Sequence, residues 1–346
     1  MRLDLLFTLM MLTTTTTAAA QAGPAAVTAS PAQVAGACEL IHLGDLPGGS
    51  SVSQAHGINR RGQVVGWSIG AADRSEAVVW SGSSPGSIAD ALPGTWSRAH
   101  AVNRRGLVVG VQSSNHAFRW QRGVLTVLDD LPGGSLSSEA LGVNDAGVAV
   151  GLCNDGVGIN SACVWAPDAL VPTRLPAGLY NSLARAINNQ GWIVGDDRFF
   201  WDRAVLWRDQ QMIELLPNPS SAWAINDKGV VVGRSELGAF RWKNGRVSFL
   251  PSGSGDPHPA DEANAINRAG TIVGSAIWSG YRRAAAWTGG APEDLNQRSC
   301  VVGSGWQLMR ATGINDDGWV VGNGTDPQGQ TSAFLLKPLL TSMARR

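Results

Sequence analysis

Short apolar runs separated by turn residues fill this chain from Cys38 onward, and no stretch keeps a helical period over three turns. One pattern of apolar and polar positions recurs seven times. It consists of Ala, any residue, Gly or Ala, Ile or Val, Asn, two residues, Gly, one residue, and an apolar pair closed by Gly. A unit of about 40 residues repeated along a chain is the signature of a repeat fold. The asparagines of the seven copies are Asn59, Asn103, Asn144, Asn188, Asn226, Asn267 and Asn315.

Each unit predicts four antiparallel strands, a to d. Strand a is the Ala-x-Gly-Ile run and strand b is the apolar pair after the turn. The Asn-x-x-Gly segment between them favours a tight hairpin, because the Asn side chain bonds the backbone and Gly supplies a positive φ. Strand d is predicted around residues 128–131 in the second unit, closing near Pro132 as an outer edge strand does. Strand c ends in a tryptophan in six units: Trp80, Trp120, Trp165, Trp207, Trp242 and Trp287.

Four antiparallel strands in each of seven units predict an all-β, seven-bladed β-propeller. The two ends of the chain favour ring closure. A d-like strand at residues 39–47 precedes the first unit, while the last unit stops after strand c at Leu336. The N-terminal strand is therefore predicted to complete the last blade. The alternative is a right-handed β-solenoid, which needs no such permuted end.

The N-terminal segment and the charge balance predict an exported protein that does not bind nucleic acid. Arg2 followed by an apolar run at residues 5–12 and small residues predicts a signal peptide cleaved near Ala20 or Ala22. The run is too short to span a bilayer, so no transmembrane segment is expected in the mature chain, which would be secreted, periplasmic or on the cell surface. With 27 basic and 27 acidic residues, no net field attracts nucleic acid or anionic lipid. The predicted segments are a signal peptide at 1–22, a flexible leader at 23–37, the propeller at 38–341 and a tail at 342–346.

Four cysteines in an exported chain favour disulfides. Cys153 and Cys163 flank one predicted hairpin, which leaves Cys38 and Cys300 to join the first strand to the last units. Reduced, buried thiols are the alternative. No Cys-x-x-Cys pair is present, so no zinc site is predicted, and neither is any other metal or cofactor.

The repeat resembles the HAF-repeat family of extracellular bacterial proteins, whose units carry a Gly-Ile-Asn-x-x-Gly-x-Val-Val-Gly core and a His-Ala-Phe tripeptide. Residues 116–118 match the tripeptide fully, and Ala239-Phe240 and Ala333-Phe334 match it without the histidine. The resemblance covers residues 40–338. It implies export and a propeller-like fold, and it brings no catalytic residues, activity or ligand.

A binding site is predicted on the face that carries the long connections. The d-to-a and b-to-c loops share one end of a propeller, and four of them are predicted to be long, at residues 67–76, 196–203, 251–262 and 297–310. The second residue of strand a varies while its neighbours are nearly fixed, as expected for a ring of side chains presented at the channel mouth. The alternative is that these side chains only fill the channel. The ring comprises His56, His100, Leu141, Arg185, Trp223, Asn264 and Thr312.

His56 and His100 come from adjacent blades and are predicted to meet. Together with His258, Asp261 and Glu262 from the loop before the sixth strand a, they have the chemistry of a metal site or of an acid–base pair. Solvated polar loop residues are the alternative. Tryptophans outside strand c offer faces on which sugar rings stack, with packing between blades as the alternative: Trp67, Trp96, Trp192, Trp201, Trp223, Trp278 and Trp306.

These features favour a non-enzymatic binding module for an extracellular glycan or protein, acting through the long-loop face. The alternatives are a polysaccharide lyase or hydrolase at the same mouth, and a structural cell-surface module. A Gly-x-Ser-x-Gly match at residues 82–86 falls in a predicted c-to-d turn rather than in the strand–turn–helix of a hydrolase. Phosphate-loop, dinucleotide and His-Glu-x-x-His motifs are absent from the sequence.

Overall fold

The computed structural model forms a ring of seven four-stranded antiparallel sheets, which confirms the predicted seven-bladed β-propeller. The residues described are 37–88, 96–113, 115–134, 137–156, 158–177, 181–198, 201–217, 219–253 and 258–339. The predicted signal peptide, nearly all of the leader, and the tail lie outside them. All strands belong to the unit Ala35–Arg346.

The blades are numbered along the chain, and each runs from strand a at the channel to strand d at the rim. Blade 1 comprises β2 (Ser53–Ile58), β3 (Val64–Ile69), β4 (Ser75–Ser81) and β5 (Ser84–Ser87); blade 2 comprises β6 (Ser97–Val102), β7 (Val108–Gln112), β8 (His116–Gln121) and β9 (Val124–Val127); blade 3 comprises β10 (Ser138–Val143), β11 (Ala149–Asn154), β12 (Asn160–Trp165) and β13 (Thr173–Arg174). Blade 4 comprises β14 (Ser182–Ile187), β15 (Ile193–Arg198), β16 (Asp202–Arg208) and β17 (Gln211–Leu216); blade 5 comprises β18 (Ser220–Ile225), β19 (Val231–Ser235), β20 (Gly238–Lys243) and β21 (Arg246–Phe249). Blade 6 comprises β22 (Glu262–Ile266), β23 (Ile272–Trp278), β24 (Tyr281–Trp287) and β25 (Glu293–Asp294), and blade 7 comprises β26 (Gln307–Ile314), β27 (Val320–Thr325), β28 (Thr331–Pro338) and β1 (Cys38–His42). A short 3-10 helix, Leu295–Gln297, follows β25.

The N-terminal strand closes the ring, as the sequence predicts. Strand β1 pairs antiparallel with β28, with Cys38 opposite Pro338 and His42 opposite Phe334. A disulfide joins Cys38 to Cys300, with 5.5 Å between their Cα atoms. Blade 7 is therefore built from both ends of the propeller sequence and is covalently fixed.

A β-bulge in strand a explains the glycine that ends the apolar pair of every repeat. The bulge recurs in all seven blades, and in blade 5 it lies between Ala222 and Ala224. Strand a approaches strand b closely there, so that a Cβ added to Gly233 would overlap the carbonyl oxygen of Ser221. The same overlap would occur in the other six blades, at Gly66, Gly110, Gly151, Gly195, Gly274 and Gly322. The invariant glycine thus lets one extra residue of strand a enter the channel wall.

The repeat asparagines join neighbouring blades at the turn end of the channel. Each accepts hydrogen bonds from its own turn; Asn59 Oδ1, for example, accepts from the N–H groups of Arg61 and Gln63 at 2.9 and 3.0 Å. Each side-chain amide then donates to the carbonyl oxygen of the next blade's asparagine, and the seventh donates back to Asn59. These seven bonds form a closed ring, which accounts for the fixed asparagine in every copy.

The core lies between blades, because each blade packs both faces against its neighbours. Small alanines allow this close packing; Ala55 and Ala77 have no exposed surface. The strand-c tryptophans reach the preceding blade, and Trp80 Nε1 donates to the Gly44 carbonyl oxygen at 3.1 Å. Serines at the start of strand a add a second link, as where Ser97 Oγ accepts from the Ala77 N–H at 2.9 Å. Four more blades repeat that serine bond, through Ser53, Ser138, Ser182 and Ser220.

Two local predictions are wrong. Strand d of blade 2 is Val124–Val127, so the apolar residues predicted to form it at 128–131 follow the strand instead. Leu128 is still completely buried, because its side chain packs in the core cluster with Ala140 and Trp165; its N–H donates to the Ala117 carbonyl oxygen just beyond the ladder. The predicted loops at 67–76 and 196–203 are also shorter, since β3 continues to Ile69 and β15 to Arg198. Ion pairs such as Arg203–Asp197, at 2.7 Å, hold polar residues within these strands.

The second disulfide joins Cys153 and Cys163 across β11 and β12, with 6.0 Å between their Cα atoms. Both predicted pairs are thus present, and the alternative of reduced thiols is wrong. Within the part of the chain that the structure describes, no helix has the length and apolar character needed to cross a membrane.

Candidate functional site

The channel has two different ends. The a-to-b turns surround a polar cup of about 290 Å³ at one end, lined by the repeat asparagines and by the residue after each. Several of these following residues also join blades; Asp145 Oδ1, for example, accepts the Arg104 N–H at 2.9 Å. The polar groups of the cup are therefore largely used by the fold. The opposite end, where the long loops lie, carries the less regular side chains.

The ring of second residues of strand a was predicted at the channel mouth, and this placement is wrong: these residues lie deeper, at the β-bulges in the middle of each strand a. A second layer of variable residues lies nearer the long-loop end, at the position two residues earlier. The two layers are in contact, since Arg310 of the outer layer donates a hydrogen bond to Asn264 Oδ1 of the inner layer at 3.0 Å. The outer layer comprises Gln54, Arg98, Glu139, Leu183, Ser221, Glu262 and Arg310.

His56 and His100 meet, as predicted. Their rings are stacked with centroids 5.2 Å apart and an interplanar angle of 5°. His56 Nδ1 lies 3.0 Å from the carbonyl oxygen of Ala99 and so carries the proton. His100 Nε2 lies 2.7 Å from Glu139 Oε1. The pair therefore combines one histidine held by the backbone with one held by a carboxylate.

Burial is the main cause that lowers the pKa of His56 to about 3, and the neighbouring His100 lowers it further. Burial alone would raise the pKa of Glu139. The hydrogen bond from His100, together with the charges of His100 and Arg98, has the larger effect, so the pKa of this carboxyl is lowered. At neutral pH His56 is consequently a neutral ring beside a carboxylate–histidine pair. This arrangement has the elements of acid–base chemistry.

On the other side of the channel, three guanidinium groups surround the indole of Trp223. The Cζ atoms of Arg310, Arg234 and Arg185 lie 5.3, 5.4 and 6.0 Å from the ring centroid. Each distance is within the range of a cation–π contact. The sequence drew attention to Trp223 and Arg185, and the fold adds two more arginines from blades 5 and 7.

Two buried carboxylates balance part of this positive charge. Glu262 Oε2 lies 3.0 Å from Arg282 Nη1 and 3.1 Å from Arg310 Nη2, while Asp196 Oδ2 lies 2.6 Å from Arg185 Nη2. Burial raises the pKa of Asp196, although the bond from Arg185 acts in the opposite direction. Burial also lowers the pKa of Arg310, and the like charges of Arg282, Arg234 and Arg185 add to this effect against the attraction of Glu262. The cluster therefore holds more positive charge than its own carboxylates neutralise.

The predicted set of His56 and His100 with loop carboxylates is only partly assembled. Asp261 is buried and accepts the Ile277 N–H at 2.9 Å, so it supports its own loop. His258 Nδ1 accepts from the Ala260 N–H at 3.1 Å in that same loop. Glu139 takes the place beside His100 that the sequence analysis gave to these groups. Among the described residues, no group of three or more His, Cys, Asp or Glu side chains is arranged to hold a metal ion.

The other predicted ring residues mainly bind backbone. Thr312 Oγ1 donates to the Ala55 carbonyl oxygen at 2.7 Å, and Asn264 Nδ2 donates to that of Ala311 at 2.8 Å. Both therefore also link neighbouring blades. Asn264 keeps its side-chain oxygen for Arg310 and so belongs to the arginine cluster as well.

The tryptophans outside strand c divide into packed and accessible groups. Trp192 covers the turn glycine of the next blade, Gly229, as inter-blade packing requires. Trp278 and Trp306 pack against core clusters. Trp67 and Trp96 both face the guanidinium of Arg98, and Trp201 is 64% exposed.

Four side chains of the site were not predicted from the sequence: Arg98, Glu139, Arg234 and Arg310. Three of them precede the repeat alanine directly, a position that varies between copies as much as the predicted ring does. The criterion that selected the ring, a position that varies between repeats while its neighbours are nearly constant, would therefore also select these three residues. Arg234 had no such signal, because it lies in strand b and reaches Trp223 only across the pairing of β18 with β19.

The chain is similar to several solved structures at low sequence identity. A puromycin-hydrolysing peptidase of Mycobacterium tuberculosis has 13% sequence identity and a TM-score of 0.52, over 80% of this chain and 50% of that one. A gluconolactonase of Xanthomonas campestris has 13% identity and a TM-score of 0.46, over 89% of this chain and 93% of that one. The β-propeller domain of the Trilobed protease of Pyrococcus furiosus has 8% identity and a TM-score of 0.49, over 86% of this chain and all of that one.

At 13% identity the likeness to the mycobacterial peptidase shows a shared fold alone. The chain spans half the length of the mycobacterial peptidase. No family model matches the chain, and no curated protein sequence matches it.

Proposed function

We propose that this protein is an exported, non-enzymatic binding module that takes an extracellular glycan at the long-loop end of its channel. The observation that carries the proposal is the half-buried indole of Trp223 in the channel wall, among side chains rich in hydrogen-bond donors. Sugar rings bind to an aromatic face and to planar polar groups such as guanidinium and carboxylate. Arg185, Asn264 and Glu262 supply such groups beside the indole.

Two small pockets are lined by Arg234 and Arg185, the arginines that contact Trp223, although Trp223 itself lines neither pocket. One of about 200 Å³ is lined by Ser221, Arg234 and Glu236, and one of about 190 Å³ by Arg185 and Asp196, among others. Each has room for part of one sugar unit, so an oligosaccharide would span the channel mouth rather than enter a closed cavity.

Export is supported by independent features of the sequence and the fold. The N-terminus matches a cleaved signal peptide, and two disulfides suit an oxidising compartment. The resemblance to the HAF-repeat family agrees with export. N-terminal sequencing of the protein secreted by a bacterial host should begin at Gln21 or Gly23; a chain retained in the cytoplasm with Met1 intact would contradict this part of the proposal.

A glycan array tests the binding function. The protein expressed from the full-length sequence should bind at least one class of glycan, and the double variant His56→Ala/Trp223→Ala should lose that binding. Arg208→Ala is the matched control, because Arg208 lies 4.9 Å from the ring of Trp192 in a similar pair outside the channel. Binding retained by the double variant would remove the channel mouth as the site. A blank array would favour the structural alternative or a protein partner.

The stacked histidines favour a second candidate, a polysaccharide lyase or hydrolase at the same mouth. Glu139, His100 and neutral His56 have the elements of an acid–base site. Prolonged incubation with a bound glycan decides between the two. New chain ends formed by the wild type, but not by Glu139→Gln, would establish the enzyme. Unchanged glycan would retain the binding module.

A further inference from the structure

The arginine cluster specifies the charge of the ligand. We propose that the channel mouth selects acidic saccharides, whose carboxylate groups bind Arg234 and Arg310 while a sugar ring packs against Trp223. This inference rests on the proposed glycan-binding function and narrows it to one chemical class of ligand.

The described side chains around Trp223 and its two neighbouring pockets carry a small excess of positive charge. The guanidinium groups of five arginines lie among four carboxylates, which leaves an excess of one positive charge. The groups are those of Arg185, Arg198, Arg234, Arg282 and Arg310, and of Asp196, Asp202, Glu236 and Glu262. Because the whole chain has a formal net charge of zero, this excess is a local feature of the channel mouth. A neutral saccharide would leave it uncompensated.

The arginines of the cluster differ in the carboxylates with which they pair. Arg185 has Asp196, and Arg282 and Arg310 share a single oxygen of Glu262. Arg234 is exposed and makes no ion pair within the described residues, although Glu236 lines the same small pocket. A guanidinium group binds a carboxylate through two parallel N–H donors. Arg234 is therefore the group with the most capacity to bind an incoming carboxylate.

Two hydrogen-bond donors of the cluster have no acceptor within the described structure. Trp223 Nε1 and Arg310 Nε are buried and meet no hydrogen-bond acceptor in the described parts of the chain. A buried donor without an acceptor costs about 1–3 kcal/mol. Both groups are donors only, so a ligand would satisfy them with acceptor atoms, after a shift of the side chains that cover them; Asp196 Oδ1 is a buried acceptor of the same cluster that also has no partner among the described residues. Carboxylate oxygens are the strongest acceptors that a saccharide carries.

The aromatic surface distinguishes a saccharide from other polyanions. The indole of Trp223 gives the cluster an apolar face, and the cation–π contacts hold the arginines around that face rather than extended into solvent. An acidic sugar presents a carboxylate and a ring face within one residue. An acidic peptide presents its carboxylates on flexible chains without a ring, and so uses only half of this surface.

Titration calorimetry of the full-length protein tests the inference with three probes of similar length: a hexamer of galacturonic acid, the uncharged hexamer of glucose, and hexaglutamate. The uronic acid hexamer should bind at least ten times more tightly than the other two, and added salt should weaken that binding. Arg234→Ala should reduce the affinity about tenfold and Arg234→Glu further, with partial recovery in Arg234→Lys. Arg208→Ala should bind as the wild type does.

Each alternative result has a separate meaning. Equal binding of the two sugar hexamers, unaffected by Arg234→Ala, would overturn the acidic preference and leave glycan binding intact. Stronger binding of hexaglutamate would overturn the saccharide assignment in favour of an acidic protein partner. Tight binding of the uronic acid hexamer that Arg234→Glu leaves unchanged would place the acidic site elsewhere. Failure of both sugar hexamers, together with a blank glycan array, would remove the proposed function itself.

Discussion

The side-chain amide of Asn315 donates a hydrogen bond to the carbonyl oxygen of Asn59, 256 residues earlier in the sequence. This bond completes the ring of seven that joins neighbouring blades at the turn end of the channel. Asn315 follows β26, in the blade that also contains β1, and the Cys38–Cys300 disulfide joins β1 to the connection between blades 6 and 7. Blades 7 and 1 are thus held together by the same device as every other pair of blades.

Removing the Asn315 side chain should destabilise the propeller. Asn315 Oδ1 accepts the N–H groups of Asp317 and Trp319 at 3.1 and 2.9 Å, so Asn315→Ala deprives two main-chain donors of their acceptor. We expect the free energy of unfolding in urea to fall by about 2–6 kcal/mol, at about 1–3 kcal/mol for each donor that loses its acceptor. Asn315→Asp keeps the acceptor Oδ1 but turns a second, anionic oxygen toward the Asn59 carbonyl oxygen, so at neutral pH it should also destabilise the protein. Protonation of that carboxylate restores a donor, so the variant should gain stability relative to Asn315→Ala as the pH is lowered through about 4. No relative gain would contradict the donation from Asn315 to Asn59.

The strand-b glycine should tolerate no side chain. In Gly233→Ala the new Cβ would overlap the Ser221 carbonyl oxygen, and strand a would have to move away from strand b. Overpacking of this kind costs about 1–3 kcal/mol, and the shift would displace Trp223, two residues beyond Ser221. Gly290→Ala is the control, because a Cβ at that position meets no atom within 4 Å. Urea unfolding should therefore separate the two variants, and equal stabilities would mean that strand a is free to adjust.

The repeat frame, the blade number and the closure were predictable from the sequence because each depends on local chemistry repeated seven times. The Asn-x-x-Gly turn and the glycine after the apolar pair impose the same geometry on every copy. The b-to-c loops predicted at 67–76 and 196–203 are shorter in the structure, because β3 continues to Ile69 and β15 to Arg198. Asp197 is completely buried within β15 because Arg203 pairs with it across the hairpin.

The candidate site was predictable only in part. His56, His100 and Trp223 were predicted because they occupy a variable position among the nearly constant residues of the repeat. Those constant residues determine where the variable side chains lie. The partners Glu139 and Arg234 depend on side-chain reach between strands and between blades, which the repeat spacing does not encode. The electrostatic character of the channel mouth therefore appeared only once the blades were assembled.

The two disulfides should differ in their contribution to stability. In the chain-entropy model a bond that spans 262 residues stabilises the folded state by about 5 kcal/mol, and one that spans 10 residues by about 3 kcal/mol. Cys38→Ala/Cys300→Ala should therefore lower the free energy of unfolding more than Cys153→Ala/Cys163→Ala. Limited proteolysis should also release β1 first in the former variant. A larger loss from the second pair would show that local packing outweighs closure of the ring.

Protonation of His56 should destabilise the protein in mild acid. In the unfolded chain a histidine binds a proton as the pH falls through about 6.5, whereas burial keeps native His56 neutral until its pKa of about 3. The unfolded state therefore binds more protons between these values, and the stability that His56 contributes above pH 6.5 is lost as the pH falls toward 3.

The expected slope is about 1.4 kcal/mol per pH unit, or about 2 kcal/mol between pH 6.5 and 5. His56→Asn keeps a donor for the Ala99 carbonyl oxygen but cannot titrate, so it should show a flatter dependence in urea unfolding over that range. His42→Asn is the control, because the side chain of His42 is 42% exposed and largely solvated in the folded protein. Equal slopes for wild type and His56→Asn would mean that native His56 binds a proton as readily as a histidine in the unfolded chain. The ring of His56 would then be accessible to water and to substrate. That result would strengthen the acid–base candidate at the expense of the binding module.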